Sequence, residues 1–249
     1  MQKLKAIEIE SLTKKFEDKT ALDGLSLTIQ EGELFGLLGP NGAGKTVTIK
    51  ILCGIIPPTS GIARVGGYEV TKDHEKVHKL IGLCPQEPAY YSYLTGRENI
   101  ELFGHLQEVP NKQLKENMAR LISEVGLSEE ADRRASKYSG GMIRRLSLAM
   151  ALINDPHIAF LDEPTVAMDP QSRHATWELI RGLKERGNTV ILTSHYIEEV
   201  EALADRVAIM DHGKLIALGS PDELKLSQGA SSLEDVFISL TGRKIREEG

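Results

Sequence analysis

The sequence predicts an α/β fold that combines a parallel β-sheet core with an antiparallel β subdomain and an inserted α-helical subdomain. Residues 39–46 form a glycine-rich loop between an apolar run and a stretch that can continue as a helix, which is the context of a phosphate-binding loop. Short apolar runs precede and follow a long segment with helical spacing. The 249 residues suffice for one large α/β domain or for a core that carries a subdomain.

The glycine-rich loop predicts a binding site for a polyphosphate. Its eight residues are Gly39, Pro40, Asn41, Gly42, Ala43, Gly44, Lys45 and Thr46. Glycines let successive N–H groups point inward, and the N-terminus of the following helix adds about half a positive charge. Lys45 supplies a cation for the outer phosphates, and the Thr46 hydroxyl suits Mg²⁺. A plain strand-to-helix turn is the alternative, but the fixed Gly, Lys and Thr positions favour a P-loop.

Composition and charge argue against several classes of protein. Lys and Arg number 30 against 36 Asp and Glu, a formal charge of -6, so no nucleic-acid partner is expected. Cys53 and Cys84 have no close Cys or His partners, which predicts neither disulfides nor a zinc site and fits a reducing cytoplasm. Residues 1–10 are charged instead of forming an apolar signal core, and no run approaches the roughly 20 apolar residues of a membrane span.

Two antiparallel strands are expected before the loop. Ile7 and Ile9 alternate with polar residues, and so do Leu25, Leu27 and Ile29, which is the period of half-buried strands. Phe16 lies in a polar stretch between them. Its ring either packs on the sheet or stays free to stack on a planar ligand such as adenine.

The segment after the loop helix carries one weak site signal and an aromatic cluster. The apolar run 80–84 ends at Pro85, and Gln86 follows at the predicted strand end, where open α/β sheets place ligand-contacting groups. A solvated loop residue is the alternative for Gln86. Tyr90, Tyr91 and Tyr93 come next and either pack locally or face a protein partner.

Residues 97–153 change to helical spacing, which indicates a helical subdomain inserted between strands. Its third helix is predicted to begin at Ser139, Gly140 and Gly141, where small residues leave backbone N–H groups exposed. Taken alone, these residues favour a helix cap with no further role.

Strands return after the helical segment, and two of them end in residues with chemistry. The apolar run 158–161 ends at Asp162 and Glu163, a costly pair beside a core unless a cation is near. Downstream of a P-loop, the first acid is expected to anchor Mg²⁺ and the second to polarise a water molecule. The run 190–192 leads to His195, which is a structural residue unless its strand lies beside the P-loop strand.

As a set, these residues resemble the ATP-binding subunit of ABC transporters over almost the whole chain. The resemblance implies a RecA-like P-loop NTPase core. The segments that carry it occur in the family's order: residues 39–46, Gln86, Ser139-Gly140-Gly141-Met142, Phe160-Leu161-Asp162-Glu163-Pro164-Thr165, Asp169-Pro170 and Ser194-His195.

The resemblance implies a role for each candidate residue. Phe16 stacks on adenine, residues 39–47 including Val47 hold the phosphates, and Thr46, Gln86 and Asp162 contact Mg²⁺. Glu163 is the catalytic base, with Gln86 and His195 at the attacking water and the γ-phosphate. Ser139, Gly140 and Gly141, here called the signature segment, are implied to cap the ATP of a second protomer. ATP and Mg²⁺ are therefore the expected ligands.

The resemblance also implies organisation and partners. Residues 1–96 and 154–226 form the α/β core with its N-terminal β subdomain, residues 97–153 the helical subdomain, and residues 227–249 a C-terminal helical tail. The tail, from Ser232 to Arg243, is similar to exporters of the drug-resistance and polysaccharide or lipid efflux type. The expected assembly is an ATP-dependent homodimer, or heterodimer with a related ATPase, held by an integral-membrane permease at the cytoplasmic face of the cell membrane.

Three departures from the family pattern leave alternatives to a working transporter ATPase. Val47 replaces a usual Ser or Thr, Tyr138 replaces a usual Leu, and residues 166–168 replace the usual Ser-Gly-Leu of the D-loop, the segment that crosses between protomers. Hydrolysis coupled to export remains the main prediction because Lys45, Glu163 and their neighbours are intact. A nucleotide-dependent regulatory subunit with little turnover and a soluble ABC ATPase outside transport are the alternatives.

Overall fold

The protein is described by a computed structural model, which covers residues 4–242. Its central sheet runs, in spatial order, through Lys214–Gly219 (β10), Arg206–Asp211 (β9), Leu34–Leu38 (β3), Thr189–Thr193 (β8), Ile158–Asp162 (β7) and Ile81–Cys84 (β6). Neighbouring strands are parallel except for the hairpin of β9 and β10. The predicted α/β fold is confirmed.

A second sheet forms the N-terminal β subdomain. Its order is Lys19–Gln30 (β2), Lys5–Phe16 (β1), Ser60–Val65 (β4) and Tyr68–Glu69 (β5), all antiparallel. The alternating residues Ile7, Ile9, Leu25, Leu27 and Ile29 are all buried, as their period predicts. Strand β1 extends through Phe16, so the polar stretch before that residue is part of the strand and not a loop.

The helices of residues 4–242 alternate with the strands of the core and form the helical subdomain. They are Lys45–Leu52 (α1), His74–Leu80 (α2), Gly96–Leu106 (α3), Asn111–Glu124 (α4), Gly140–Ala151 (α5), Pro170–Glu185 (α6), Ile197–Leu203 (α7), Pro221–Gln228 (α8) and Leu233–Thr241 (α9). The sequence pattern predicts no helix at α2. Val77 is the buried residue of α2, so this helix lacks the apolar stripe on which such a prediction depends.

The central strands are covered on both faces. Every residue of β3, β7 and β8 is buried, which is why these strands are continuous apolar runs. On β3, a Cβ added to Gly36 would lie 2.3 Å from Val200 Cγ1, so glycine is what lets α7 pack directly on the P-loop strand. Helices α3, α4 and α5 share one hydrophobic core with a face of this sheet, through residues such as Ile100, Leu121, Leu146 and Leu161.

Helix α9, the last element of the described residues, packs on the edge of the sheet that carries β9 and β10. Val236 and Phe237 of α9 are fully buried against Ile209 and Leu38. The predicted tail continues to residue 249, and its residues from Arg243 onward lie outside the described part of the chain. Between residues 4 and 242, no helix has the length and apolarity that crossing a membrane requires.

Candidate nucleotide-binding site

A cavity of about 410 Å³ lies at the carboxyl end of β3 and collects residues from distant parts of the chain. The predicted site residues in its lining are Phe16, residues 41–47, Gln86, Glu163 and His195. A larger cavity of about 640 Å³ lies between the core and the helical subdomain of residues 97–153, here also called the helical block. Residues such as Ile55, Pro85 and Phe103 line it. The smaller cavity is the candidate site because the P-loop, Glu163 and His195 line it.

The P-loop curls around an open concavity, and its backbone conformation requires glycine at Gly44. Gly44 has φ 106°, and a Cβ there would lie 2.6 Å from Leu22 Cδ2 and 2.7 Å from the Ala21 carbonyl oxygen. Gly42 has φ 82°, with no atom within 4 Å of an added Cβ. The first helical residue after Gly44 is Lys45, so the N–H groups at the start of α1 are available to an anion.

Lys45 brings a buried positive charge to this concavity. Its Nζ donates hydrogen bonds to the carbonyl oxygens of Gly39 at 2.6 Å and Pro40 at 3.4 Å. Burial lowers the pKa of Lys45 below its ordinary value, and the nearby carboxylates of Glu163 and Asp162 oppose part of that shift. A bound polyphosphate would neutralise the positive charge of this ammonium group, which hydrogen-bonds only to loop carbonyls in the free protein.

The two carboxylates at the end of β7 are buried and supported by the neighbouring strand. Asp162 is 2% exposed and Glu163 is 4% exposed. The Thr193 hydroxyl donates to Asp162 Oδ1 at 2.6 Å, and the Glu163 N–H donates to Thr193 Oγ1 at 3.0 Å and to the Thr193 carbonyl at 3.2 Å. Buried acids require such partners, and the pair is therefore not a solvated strand end.

Three strand ends converge on the Glu163 side chain. His195 Nε2 lies 2.6 Å from Glu163 Oε1, and Gln86 Nε2 donates to Glu163 Oε2 at 3.3 Å. Gln86 follows β6, Glu163 follows β7 and His195 follows β8, which are adjacent parallel strands. Strand β8 also pairs with β3, so His195 meets the condition under which a ligand role was expected.

The residues expected to contact Mg²⁺ supply oxygen donors. The Thr46 hydroxyl, the Gln86 amide and the Asp162 carboxylate are the hard oxygen ligands that this ion prefers. Among the described residues, no group of three or more His, Cys, Asp or Glu side chains could hold a metal ion. Phosphate oxygens would have to complete the coordination, as is usual for Mg²⁺ at phosphate-transfer sites.

Phe16 lies at the mouth of the cavity and not in the core. The residue is 45% exposed, and the Lys14 ammonium lies 4.9 Å from the ring centroid. Of the two alternatives that the sequence left open, packing under the sheet does not occur. The ring remains available to a planar ligand.

The signature segment does not reach the cavity of its own chain. The Ser139 hydroxyl accepts from the Met142 N–H at 3.3 Å and caps α5. A Cβ added to Gly140 would meet nothing within 4 Å, and one added to Gly141 would lie 3.8 Å from the Ala167 carbonyl oxygen. Ser139 therefore caps α5, and a further role in binding a nucleotide would require a site outside the cavity of the same chain.

Arg144 is the site-associated residue that the sequence analysis missed. It is 3% exposed and donates to the carbonyl oxygens of Pro85, Gln86, Asp162 and Glu163. The available signal was a charged residue on the face of α5 that also carries the buried Ser147 and Leu148. Long charged residues are almost never fully buried without partners.

A further buried acid, Glu199, lies behind the site. Glu199 is fully buried on α7 and accepts from Trp177 Nε1 at 2.8 Å and from the Thr165 hydroxyl at 3.1 Å. Burial raises the pKa of Glu199 above its ordinary value of 4.5, against the hydrogen bonds and the charge of Arg173. Glu199 thus ties α6 and α7 to the segment that follows Glu163.

We expect Glu199→Gln to change how stability depends on pH. Because the pKa of Glu199 is raised in the folded state, the folded chain binds this proton more tightly than the unfolded chain. The proton therefore stabilises the fold at low pH, and this stabilisation is lost as pH rises through the folded-state pKa. The difference in unfolding free energy between variant and parent should therefore shift in favour of the variant from pH 5 to pH 8, measured by urea denaturation. Glu198→Gln changes the exposed neighbour and is the control. An equal pH dependence in all three proteins would contradict the raised pKa.

A family model and several relatives of known description match this chain and agree on one family. The model of the family described as "ABC transporter" matches residues 22–166. The linearmycin resistance ATP-binding protein of Bacillus subtilis is 42% identical over 97% of this chain and 76% of the relative. The daunorubicin/doxorubicin resistance ATP-binding protein of Streptomyces peucetius is 42% identical over 93% and 70%, respectively. The Nod factor export ATP-binding protein I of Paraburkholderia xenovorans is 40% identical over 93% and 76%.

Solved structures agree with the sequence relatives. An ATP-binding subunit of an ABC transporter superposes with a TM-score of 0.88 at 25% identity, covering 95% of this chain and 99% of that one. A dimeric ATP-binding cassette in a post-hydrolysis state with ADP and phosphate superposes with a TM-score of 0.79 at 25% identity, covering 86% and 98%. With its P-loop, its buried acid pair and these relatives, the chain belongs to the ABC transporter family, as one of its ATP-binding, ATP-hydrolysing subunits.

Proposed function

We propose that this chain drives export by a separate membrane permease, and that Glu163 is the base for its ATP hydrolysis. The observation that carries the proposal is the contact of Glu163 with both His195 and Gln86 on the cavity that also contains Lys45. The drug-resistance and Nod factor export names of the relatives support the direction of transport.

In the proposed mechanism, the P-loop and Lys45 bind the phosphates of ATP, while Phe16 stacks on its adenine ring. Thr46, Asp162 and Gln86 would hold Mg²⁺, which neutralises phosphate charge when bound. Glu163 accepts the proton of the attacking water. Its carboxylate is oriented from two sides, by Gln86 and by His195. His195 lines the same cavity and would contact the terminal phosphate there.

A complete site requires a second protomer in this proposal. Ser139, Gly140 and Gly141 lie outside the chain's own cavity, and Gly140 is open to an approaching ligand. The dimeric post-hydrolysis cassette among the structural relatives supports such an assembly. We infer a head-to-tail homodimer, or a heterodimer with a related ATPase, that forms when ATP is bound.

The larger cavity is the proposed seat of the permease at the inner face of the membrane. Its walls include Ile55, Phe103 and Leu106, and it begins at Pro85, one residue from Gln86. Ile55 is 54% exposed and Leu106 is 64% exposed. A groove that combines these apolar residues with charged ones such as Glu75 and Lys79 suits an amphipathic helix from a partner. A helix seated here would be coupled to the catalytic residues through Gln86.

The exposed tyrosines that follow Ala89, a residue lining this groove, give a test of the permease contact. Tyr91 is 55% exposed and Tyr93 is 84% exposed, whereas Tyr90 packs against the core. We expect Tyr91→Ser with Tyr93→Ser to weaken co-purification with the permease and to reduce transport, because exposed aromatic residues favour interfaces. ATP binding by the isolated chain should stay near that of the parent. Tyr68→Ser, an exposed tyrosine of β5, is the control, and unchanged assembly or a markedly lower melting temperature of the double variant would contradict the docking role.

A regulatory subunit with little turnover is the second candidate function. Ala167 of the D-loop has φ 61°, a conformation that glycine adopts without strain and other residues do not. Steady-state ATP hydrolysis by the chain assembled with its permease separates the two functions. Sustained Mg²⁺-dependent turnover supports the energy-coupling subunit, whereas tight ATP binding with negligible turnover supports the regulatory one.

A further inference from the structure

Arg144 occupies an unusual position for a charged residue, in the interior between the helical block and the core. All five of its N–H donors are used. Nε donates to the Glu163 carbonyl at 3.0 Å, and the two terminal nitrogens donate to the carbonyl oxygens of Pro85 at 2.7 Å, Gln86 at 2.6 Å, Asp162 at 3.0 Å and again Glu163. Every acceptor is a backbone carbonyl. The guanidinium group therefore does not serve to neutralise one particular side chain.

The four acceptors belong to the ends of two adjacent strands. Pro85 and Gln86 follow β6, and Asp162 and Glu163 end β7. Arg144 itself lies on α5, three residues after Gly141 of the signature segment. One side chain thus connects the helix that begins at the signature segment with the backbone of both residues that contact the cavity from β6 and β7.

The backbone of Glu163 needs this support. Glu163 has φ 54°, which is a costly conformation for a residue with a Cβ and persists only when surrounding contacts determine it. Thr193 accepts from the Glu163 N–H, and Arg144 donates to its carbonyl oxygen. The left-handed residue is thus held on both of its peptide groups, which fixes where its carboxylate points.

Lysine could not reproduce this arrangement. Arg presents five donors in a planar fork and stays charged, whereas Lys presents three donors from a single nitrogen. One ammonium group has fewer donors than the five hydrogen bonds that Arg144 makes. Lys at this position keeps the charge and much of the buried stem, but it releases part of the contact to one or both strand ends.

We propose that Arg144 is a positioning residue for ATP hydrolysis, which sets Gln86 and Glu163 relative to the helix of the signature segment. The inference rests on the proposed role of Glu163 as the base. Arg144 does not line the nucleotide cavity, so it acts through the backbone of those two residues and not on the nucleotide. Movement of the helical block would then change the placement of the base directly.

The test compares Arg144→Lys with Arg145→Lys in the full chain. Arg145 is the neighbouring residue on α5, and it donates to the carbonyl oxygens of Val125 and Gly126 within the helical block. We expect Arg144→Lys to lower kcat roughly 10- to 100-fold, since small misplacements of catalytic groups cost about this much. KM and the affinity for ATP should stay within about twofold of the parent. Arg145→Lys should keep the parent kcat.

A double variant separates positioning from a general structural role. In the Glu163→Gln background the base is absent, so the part of the Arg144→Lys effect that acts through its placement disappears. Arg144→Lys should therefore lower the residual single-turnover rate by a clearly smaller factor than it lowers the rate of the parent. Rates are normalised to the ATP-binding fraction at low temperature, so that partial unfolding of a variant does not count as lost catalysis.

Three outcomes would overturn the inference: a kcat for Arg144→Lys equal to that of Arg145→Lys, a loss confined to KM, or a full multiplicative loss in the Glu163→Gln background. Failure of the proposed function looks different. In that case Glu163→Gln alone would hydrolyse ATP like the parent, whatever Arg144→Lys does.

Discussion

Glu163→Gln is expected to lower ATP hydrolysis by about 100- to 10,000-fold, the usual contribution of a general base, while ATP stays bound. The amide keeps the size of the carboxylate but cannot accept a proton from water. Its carbonyl oxygen can still face His195, and the Thr193 contacts go to the backbone, so the loop should keep its conformation. Phosphate release and equilibrium ATP binding measure the two properties separately.

The same variant is expected to trap the ATP-bound dimer, because hydrolysis no longer removes the γ-phosphate. Size-exclusion chromatography with light scattering should show twice the monomer mass at saturating ATP and Mg²⁺, and the monomer mass without nucleotide. Glu87→Gln changes an exposed acid beside Gln86 and serves as the control with parent activity. A monomer at saturating ligand would count against the head-to-tail site, and unchanged hydrolysis would remove Glu163 from the mechanism.

Lys45→Ala is expected to abolish measurable hydrolysis and to weaken ATP binding by roughly 10- to 100-fold, the value of a charge-assisted hydrogen bond. The ammonium is buried at the P-loop, where it hydrogen-bonds only weakly basic carbonyls in the absence of phosphate. Removing it leaves several phosphate charges without this cation.

The fold should survive the loss of Lys45. Burial already disfavours its charge in the free protein, so the melting temperature without nucleotide should not fall appreciably, while the stabilisation that ATP confers should shrink with its affinity. Lys50→Ala removes an exposed lysine from the same helix and should match the parent in both assays. Hydrolysis by Lys45→Ala at the parent rate would contradict the P-loop assignment.

The strands and the glycine-rich loop could be predicted because each depends on local requirements. Apolar and polar residues alternate at Ile7 and Ile9 because one face of that strand is buried. The apolar runs of β3 and β7 are continuous because both faces of those strands are buried. The left-handed conformation of Gly44 needs glycine whatever surrounds it. Helix α2 escaped prediction because a short helix with one buried residue has no such local requirement.

Gln86 and His195 gave weak signals for a different reason. A glutamine or histidine after a strand is uninformative until the order of the strands is known. The order β8-β7-β6 brings the ends of these strands together, and only then does Glu163 become the point where the other two side chains meet.

By itself, the sequence determined the P-loop, the acid pair, the alternation of strands and helices, and the family to which their order belongs. Tertiary structure alone decided that Phe16 stays at the cavity mouth, that the signature segment faces away from its own site, and that Arg144 joins α5 to two strand ends. The physical reason is that the features predicted from the sequence depend on backbone conformation and burial along one segment. The features decided by the tertiary structure depend on contacts between segments far apart in the chain, for which a single sequence carries no periodic signal.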